Sequence, residues 1–107
     1  MIRVDFLTPP QGGLLGFRME GHAGFGPEGE DIVCAAVSSA AYLTVNTLTE
    51  IRHITRLSLR VEEGEMFFRT EPKDEPLCRD FLQGLKLHLT ALEEQYPQCV
   101  QVGYLEI

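Results

Sequence analysis

Residues 21–38 read Gly-His-Ala-Gly-Phe-Gly-Pro-Glu-Gly-Glu-Asp-Ile-Val-Cys-Ala-Ala-Val-Ser, and the change of character inside this stretch decides the fold. Its first half, rich in Gly, Pro and Glu, has nothing to bury. From Ile32 the chain is apolar or small without a break, so a mobile loop gives way to an ordered helix at about Asp31. Asp31 suits the N-cap, where its carboxylate accepts a hydrogen bond from a first-turn N–H. Val33, Val37, Ala40, Ala41, Thr44, Leu48 and Ile51 then recur at steps of three and four, which defines one buried helical face running to about Arg52. His53 falls near the helix end, where a cation suits the dipole.

On both sides of this helix the period changes to two. Upstream, Ile2, Val4 and Phe6 alternate with Arg3 and Asp5, and after a Pro/Gly-rich connection Leu15, Phe17 and Met19 alternate in turn, which predicts a β-hairpin. Downstream, Leu57, Leu59 and Val61, a Glu63-Gly64 turn, and Met66 and Phe68 predict a second hairpin, whose Glu62, Glu63 and Glu65 read as a solvated turn. The acidic, proline-containing segment 70–76 can start a helix, and Cys78, Phe81, Leu82, Leu85, Leu89, Leu92 and Tyr96 give it an apolar stripe that ends at Pro97. His88 lies on or beside that stripe. Val100, Val102 and Tyr104 close the chain as a strand. The order is ββαββαβ, an α+β fold in one domain over residues 1–107, with a mainly antiparallel sheet, two helices and the strand order left open.

Length and composition narrow the function. The chain has 107 residues, enough for one core. Nine basic against 16 acidic residues leave a net charge of −7, which opposes binding to nucleic-acid phosphate or anionic lipid and favours basic partners. Charges interrupt the N-terminal apolar run, and no stretch is expected to reach the roughly 18 apolar residues of a membrane span. Cys34, Cys78 and Cys99 are odd in number and lack Cys-x-x-Cys spacing, so free thiols in a cytoplasmic, reducing setting are expected. Cys78 and Cys99 sit inside apolar patterns and read as core.

Cys34 falls in the first helical turn, where unpaired N–H groups and the helix dipole favour a thiolate, the form a cysteine nucleophile needs. A cysteine there also suits a small buried hydrophobe. His22 lies in a glycine-flanked loop with no evident structural task, and a folded-back loop can bring it to Cys34 as base or imidazolium partner. Ser38 sits one turn beyond Cys34 on the same face. Asp31 can cap the helix or orient His22. His22, Glu28, Glu30, Asp31 and Cys34 fit no common zinc spacing, so neither metal nor cofactor is expected.

The combination of Gly21-His22-Ala23, a short Gly-containing loop and Gly29-Glu30-Asp31-Ile32-Val33-Cys34-Ala35-Ala36-Val37-Ser38 closely resembles the signature of the bacterial ribosomal-processing cysteine proteases, the Prp family. Element order and length are also similar. The resemblance implies a cytoplasmic homodimeric endopeptidase that removes the N-terminal extension of a large-subunit ribosomal protein, number twenty-seven. It makes Cys34 the nucleophile and His22 the general base, with Gly21, Asp31 and Ser38 as supporting residues, while Gly24, Gly26 and Gly29 make residues 21–31 a mobile active-site loop that brings His22 and Cys34 together when peptide binds. The expected chemistry is acyl transfer to Cys34, with the helix N-terminus, including the Cys34 N–H, stabilising the oxyanion.

Two other classes compete. A non-catalytic acidic assembly factor would hold a basic ribosomal protein on the same surface without using the thiol. An RNA-binding α+β module would need a basic, aromatic sheet face, for which Arg56, Arg60, Arg69 and Phe67 are the candidates.

Overall fold

The computed structural model describes all residues, 1–107. Both predicted hairpins form: β1 (Ile2–Thr8) with β2 (Gly16–Gly21), and β3 (Leu57–Glu62) with β4 (Glu65–Thr70). They join through β2 and β4, and β5 (Val100–Glu106) adds to the far side of β1, giving the sheet order β3-β4-β2-β1-β5. Three of the pairings are antiparallel, and that between β1 and β5 is parallel. A parallel neighbour needs a crossover, which α2 (Glu75–Gln95) supplies.

The register shows why the hairpins merge. Phe6 faces Phe17 across β1 and β2, and Phe17 faces Phe68 across β2 and β4. Their rings lie 6.3 and 6.0 Å apart between centroids, all fully buried. Helix α1 (Ile32–Asn46) covers this row with Val33, Val37, Ala41 and Val45, and α2 covers it with Cys78, Leu82, Leu85 and Leu89. Both helices therefore lie on one face of the sheet. The alternate residues of the same strands form the open face, where Arg3 pairs with Asp5, Arg18 with Glu20 and Arg60 with Glu65.

Four expectations are corrected. The buried face of α1 does not continue to Ile51, which is 71% exposed. A π turn over Thr47–Ile51, closed by Arg52 N–H donating to Thr47 O, shifts the phase, and Ile54 enters the core instead. His53 stands outside the helix in the left-handed region, at φ 57°. The strand β3 alternates as predicted, yet Leu59 and Val61 remain 45% and 47% exposed, because this edge strand extends beyond the helix layer. His88 is exposed on α2 and lines a groove against α1 rather than packing in the core.

The 20 residues Ile32–Ile51 are, against expectation, long and apolar enough by length and composition to span a membrane, with a mean hydropathy of 1.4 over an 18-residue window. The alanines and large apolar residues carry that mean, the hydroxyl side chains lower it only slightly, and one stripe of the helix is the core contact just described.

Removing the central ring is predicted to cost most. Phe68→Ala should lower unfolding free energy by about 3–5 kcal/mol, read as a lower urea midpoint, whereas Phe67→Ala on the open face should cost about 1 kcal/mol or less. Equal losses from the two substitutions would contradict the placement of the core.

Candidate active site

The site is built where the loop after β2 meets the start of α1. Asp31 has extended backbone angles, φ −80° and ψ 108°, as an N-cap requires. Its Oδ1 accepts the N–H groups of Val33 at 2.9 Å and Cys34 at 3.0 Å. Its Oδ2 accepts those of Phe25 at 2.9 Å and Gly26 at 3.2 Å. One carboxylate thus caps the helix and pins the loop. These donors, Cys34 N–H foremost, hold the Asp31 carboxyl below the ordinary carboxylate range, against a desolvation that pushes the other way.

Two expectations resolve here. Asp31 acts as the cap, and its oxygens are occupied by backbone donors rather than by His22. The Cys34 N–H, expected as an oxyanion donor, is already committed to Asp31 Oδ1.

The loop is fastened at other points as well. Gly21 N–H donates to Gly64 O at 2.9 Å, which ties the end of β2 to the turn between β3 and β4. Gly21 has φ 100°, and a Cβ there would lie 2.3 Å from Met1 O, so its support role is a close backbone approach that no side chain permits. Ala23 is buried in the core, and its N–H donates to Cys34 Sγ at 3.2 Å. The ring of Phe25 packs edge-on against Tyr96, 5.4 Å between centroids, at the end of α2.

His22 lies between these anchors with its imidazole against Gly64: a Cβ on Gly64 would come within 3.2 Å of His22 Nε2. Two cavities meet at the residues singled out in the sequence. One, of about 190 Å³, is lined by His22, Cys34 and Ser38 together with Tyr42, Val61 and Glu62; the other, of about 360 Å³, by His22, Cys34 and Ser38 together with Gly24, Glu28 and Asp31. His22, Cys34 and Ser38 form the wall common to both. Chemically, this sets a half-buried thiol in the first turn of a helix beside a solvent-reachable imidazole, with a recess on either side for a chain lying across them. No group of three or more His, Cys, Asp or Glu converges as metal ligands.

The turn after β3 is exposed at Glu62 and Glu63, as expected, and it also borders the site. Glu62, Gly64 and Glu65 line the smaller cavity, and Gly64 is the surface on which His22 rests. Nothing local distinguishes Glu-Glu-Gly-Glu from any other exposed turn. Its role comes from the β2–β4 pairing, which aligns Glu20 with Glu65 and so brings the turn beside Gly21.

The double use of Asp31 predicts a separable defect. Asp31→Asn keeps an oxygen for Val33 and Cys34 but presents an amide N–H₂ to the Phe25 and Gly26 donors, so hydrogen exchange at Phe25 and Gly26 should speed up while Val33 stays protected. Because the ionised carboxylate is the form held, its stabilisation is complete above about pH 4 and is lost as pH falls through the depressed native value. The fall in urea midpoint on acidification should therefore be shallower in the variant, and identical curves would contradict the carboxylate's role.

Known proteins agree with the fold. The model of the cysteine protease Prp family matches residues 1–101. The ribosomal processing cysteine protease Prp of Bacillus subtilis is 28% identical over 107 residues, covering 95% of this chain and 96% of the relative. The protein of the same description from Staphylococcus aureus is 27% identical over 97% of this chain and 99% of its own length. A crystal structure of the Staphylococcus aureus Prp protease with a covalently linked product peptide superposes with a TM-score of 0.85 at 28% identity, over 98% of this chain and 100% of that one. A Streptococcus mutans crystal structure superposes at 0.81 with 30% identity, over 100% of this chain and 96% of that one. With the family matched over nearly its whole length, and with the loop, helix cap and thiol arranged as described, this chain belongs to the Prp family of ribosomal-processing cysteine proteases.

Proposed function

We propose that this protease removes the N-terminal extension of large-subunit ribosomal protein twenty-seven, with Cys34 as nucleophile and His22 as general base, and works as a cytoplasmic homodimer. The observation that carries the reading is the shared wall: His22, Cys34 and Ser38 separate two recesses, so a peptide laid across them presents a backbone carbonyl to the thiol. The Staphylococcus aureus relative holding a covalently linked product peptide supports covalent chemistry at such a site.

His22 takes the proton of the Cys34 thiol, the resulting thiolate attacks the scissile carbonyl carbon, and the carbonyl electrons move to oxygen. Collapse of that intermediate expels the amine, which takes a proton from His22. Water, deprotonated by His22, then hydrolyses the thioester and releases Cys34. Gly21 and Asp31 hold the loop that carries His22, and Ser38 lines the substrate path. The loop residues 27–30, beyond the points fastened to Asp31, are where peptide entry would move the backbone.

The net charge of −7 suits a lysine-rich substrate by speeding encounter. Against nucleic acid, the net charge of −7 opposes phosphate, and of the candidate arginines Arg60 is paired with Glu65. Three unpaired thiols suit a reducing compartment. For the homodimer, the helix layer offers the barest apolar surface: Leu43 on α1 is 68% exposed and Leu87 on α2 is 74% exposed, beside the groove between the helices.

A peptide spanning the extension junction tests the assignment. The protein should cleave it, Cys34→Ala should lower kcat by about 10⁴-fold or more, His22→Ala should act in the same direction, and added salt should lower kcat/KM. Full cleavage by Cys34→Ala would overturn the nucleophile. Ribosome maturation unaffected by alkylation of Cys34 would favour the non-catalytic assembly factor.

A further inference from the structure

We infer that the backbone N–H of Ala23 is the donor that stabilises the oxyanion formed at Cys34. This rests on the proposed roles of Cys34 and His22. The usual source of such a donor near a helix-borne cysteine, its own N–H, is consumed here: Val33 and Cys34 N–H both go to Asp31 Oδ1, and Ala35 N–H goes to Asp31 O. The N–H that reaches the reacting atom comes from across the site, Ala23 to Cys34 Sγ at 3.2 Å.

Its position is fixed before any substrate arrives. The Ala23 methyl is 2% exposed and belongs to the core, Gly21 is bonded to Gly64 on one side, and Phe25 and Gly26 are bonded to Asp31 on the other. A donor held by its surroundings needs no reorganisation when charge develops, which is the condition for electrostatic catalysis.

The donor also gains as the reaction proceeds. When Sγ bonds to the carbonyl carbon, the sulfur becomes a thioether, a weak acceptor, and the negative charge moves to an oxygen one atom further along. An N–H already aimed at the sulfur can pass to that oxygen with little movement, and the hydrogen bond becomes a charge-assisted one. When the intermediate collapses, the charge leaves the oxygen as the C–N bond breaks and the amine takes its proton from His22. The same donor would serve again during thioester hydrolysis.

The test is to replace Ala23 by L-lactic acid through stop-codon suppression, which exchanges the N–H for an ester oxygen and keeps the methyl. The same exchange at Gly13, which lies in the connection between β1 and β2 away from the site and whose N–H lies outside the hydrogen-bond network, is the control. The Ala23 ester should lower kcat for the junction peptide by about 10²-fold with little change in KM. It should weaken a peptide aldehyde, which forms a tetrahedral oxygen on Cys34, by a similar factor, and leave alkylation by iodoacetamide nearly unchanged. Cleavage equal to the Gly13 ester would overturn the inference, as would alkylation falling as much as cleavage, which would mean the donor serves only the thiolate. If the Ala23 ester does not melt cooperatively, amide NMR of the unmodified protein decides: on adding the aldehyde, the Ala23 proton should move downfield, and movement of the Cys34 or Ile32 proton instead would overturn the assignment. Cleavage by Cys34→Ala would instead sink the nucleophile on which the inference rests.

Discussion

The Asp31 carboxylate accepts four backbone N–H groups, two from the first turn of α1 and two from the loop that follows β2. Every other feature of the site depends on this clasp. It fixes where the helix begins, and so where Cys34 projects. It also folds the loop back over the helix start, so that His22 and Cys34, separated by eleven residues in sequence, line the same two cavities. A carboxylate meets this demand better than a neutral cap, because each of its two oxygens can accept more than one donor and all four bonds are charge-assisted.

The clasp works only on a rigid base, which the sheet provides. The Phe6, Phe17 and Phe68 row holds β1, β2 and β4 in register, and that register carries the turn between β3 and β4 to the end of β2. There Gly21 and Gly64 meet backbone to backbone, and the imidazole of His22 rests on the glycine where a side chain would stand. The loop that carries His22 is therefore braced from two sides, by the helix through Asp31 and by the sheet through Gly64. Segments far apart in the chain converge there because the second hairpin docks beside β2 rather than beside β1.

What could be read in the sequence follows from how local each determinant is. The hairpins, the start of α1 at Asp31 and the apolar stripe of α2 depend on neighbours within a few residues, and all appear where the periodicity and capping residues place them. His22, Cys34 and Ser38 were legible as a group because one motif contains them. The parallel partnership of β1 with β5 depends on residues some hundred positions apart and leaves no local trace. The π turn near Thr47 leaves no mark in the sequence, because a single extra residue per turn shifts burial from Ile51 to Ile54 without altering the composition. The Cys34 N–H had two plausible uses, as cap donor and as oxyanion donor, and both could be argued from helix geometry. Only the three-dimensional arrangement shows that the cap takes it and that Ala23 faces the sulfur.

The central claim, that one ionised carboxylate holds the helix start and the loop together, is tested most directly by following backbone amide shifts as pH is lowered. The account predicts that the amides of Phe25, Gly26, Val33 and Cys34 titrate together with a single midpoint below the ordinary aspartate value of about 3.9. Separate midpoints for the loop pair and the helix pair, or a common midpoint at or above the ordinary value, would contradict it.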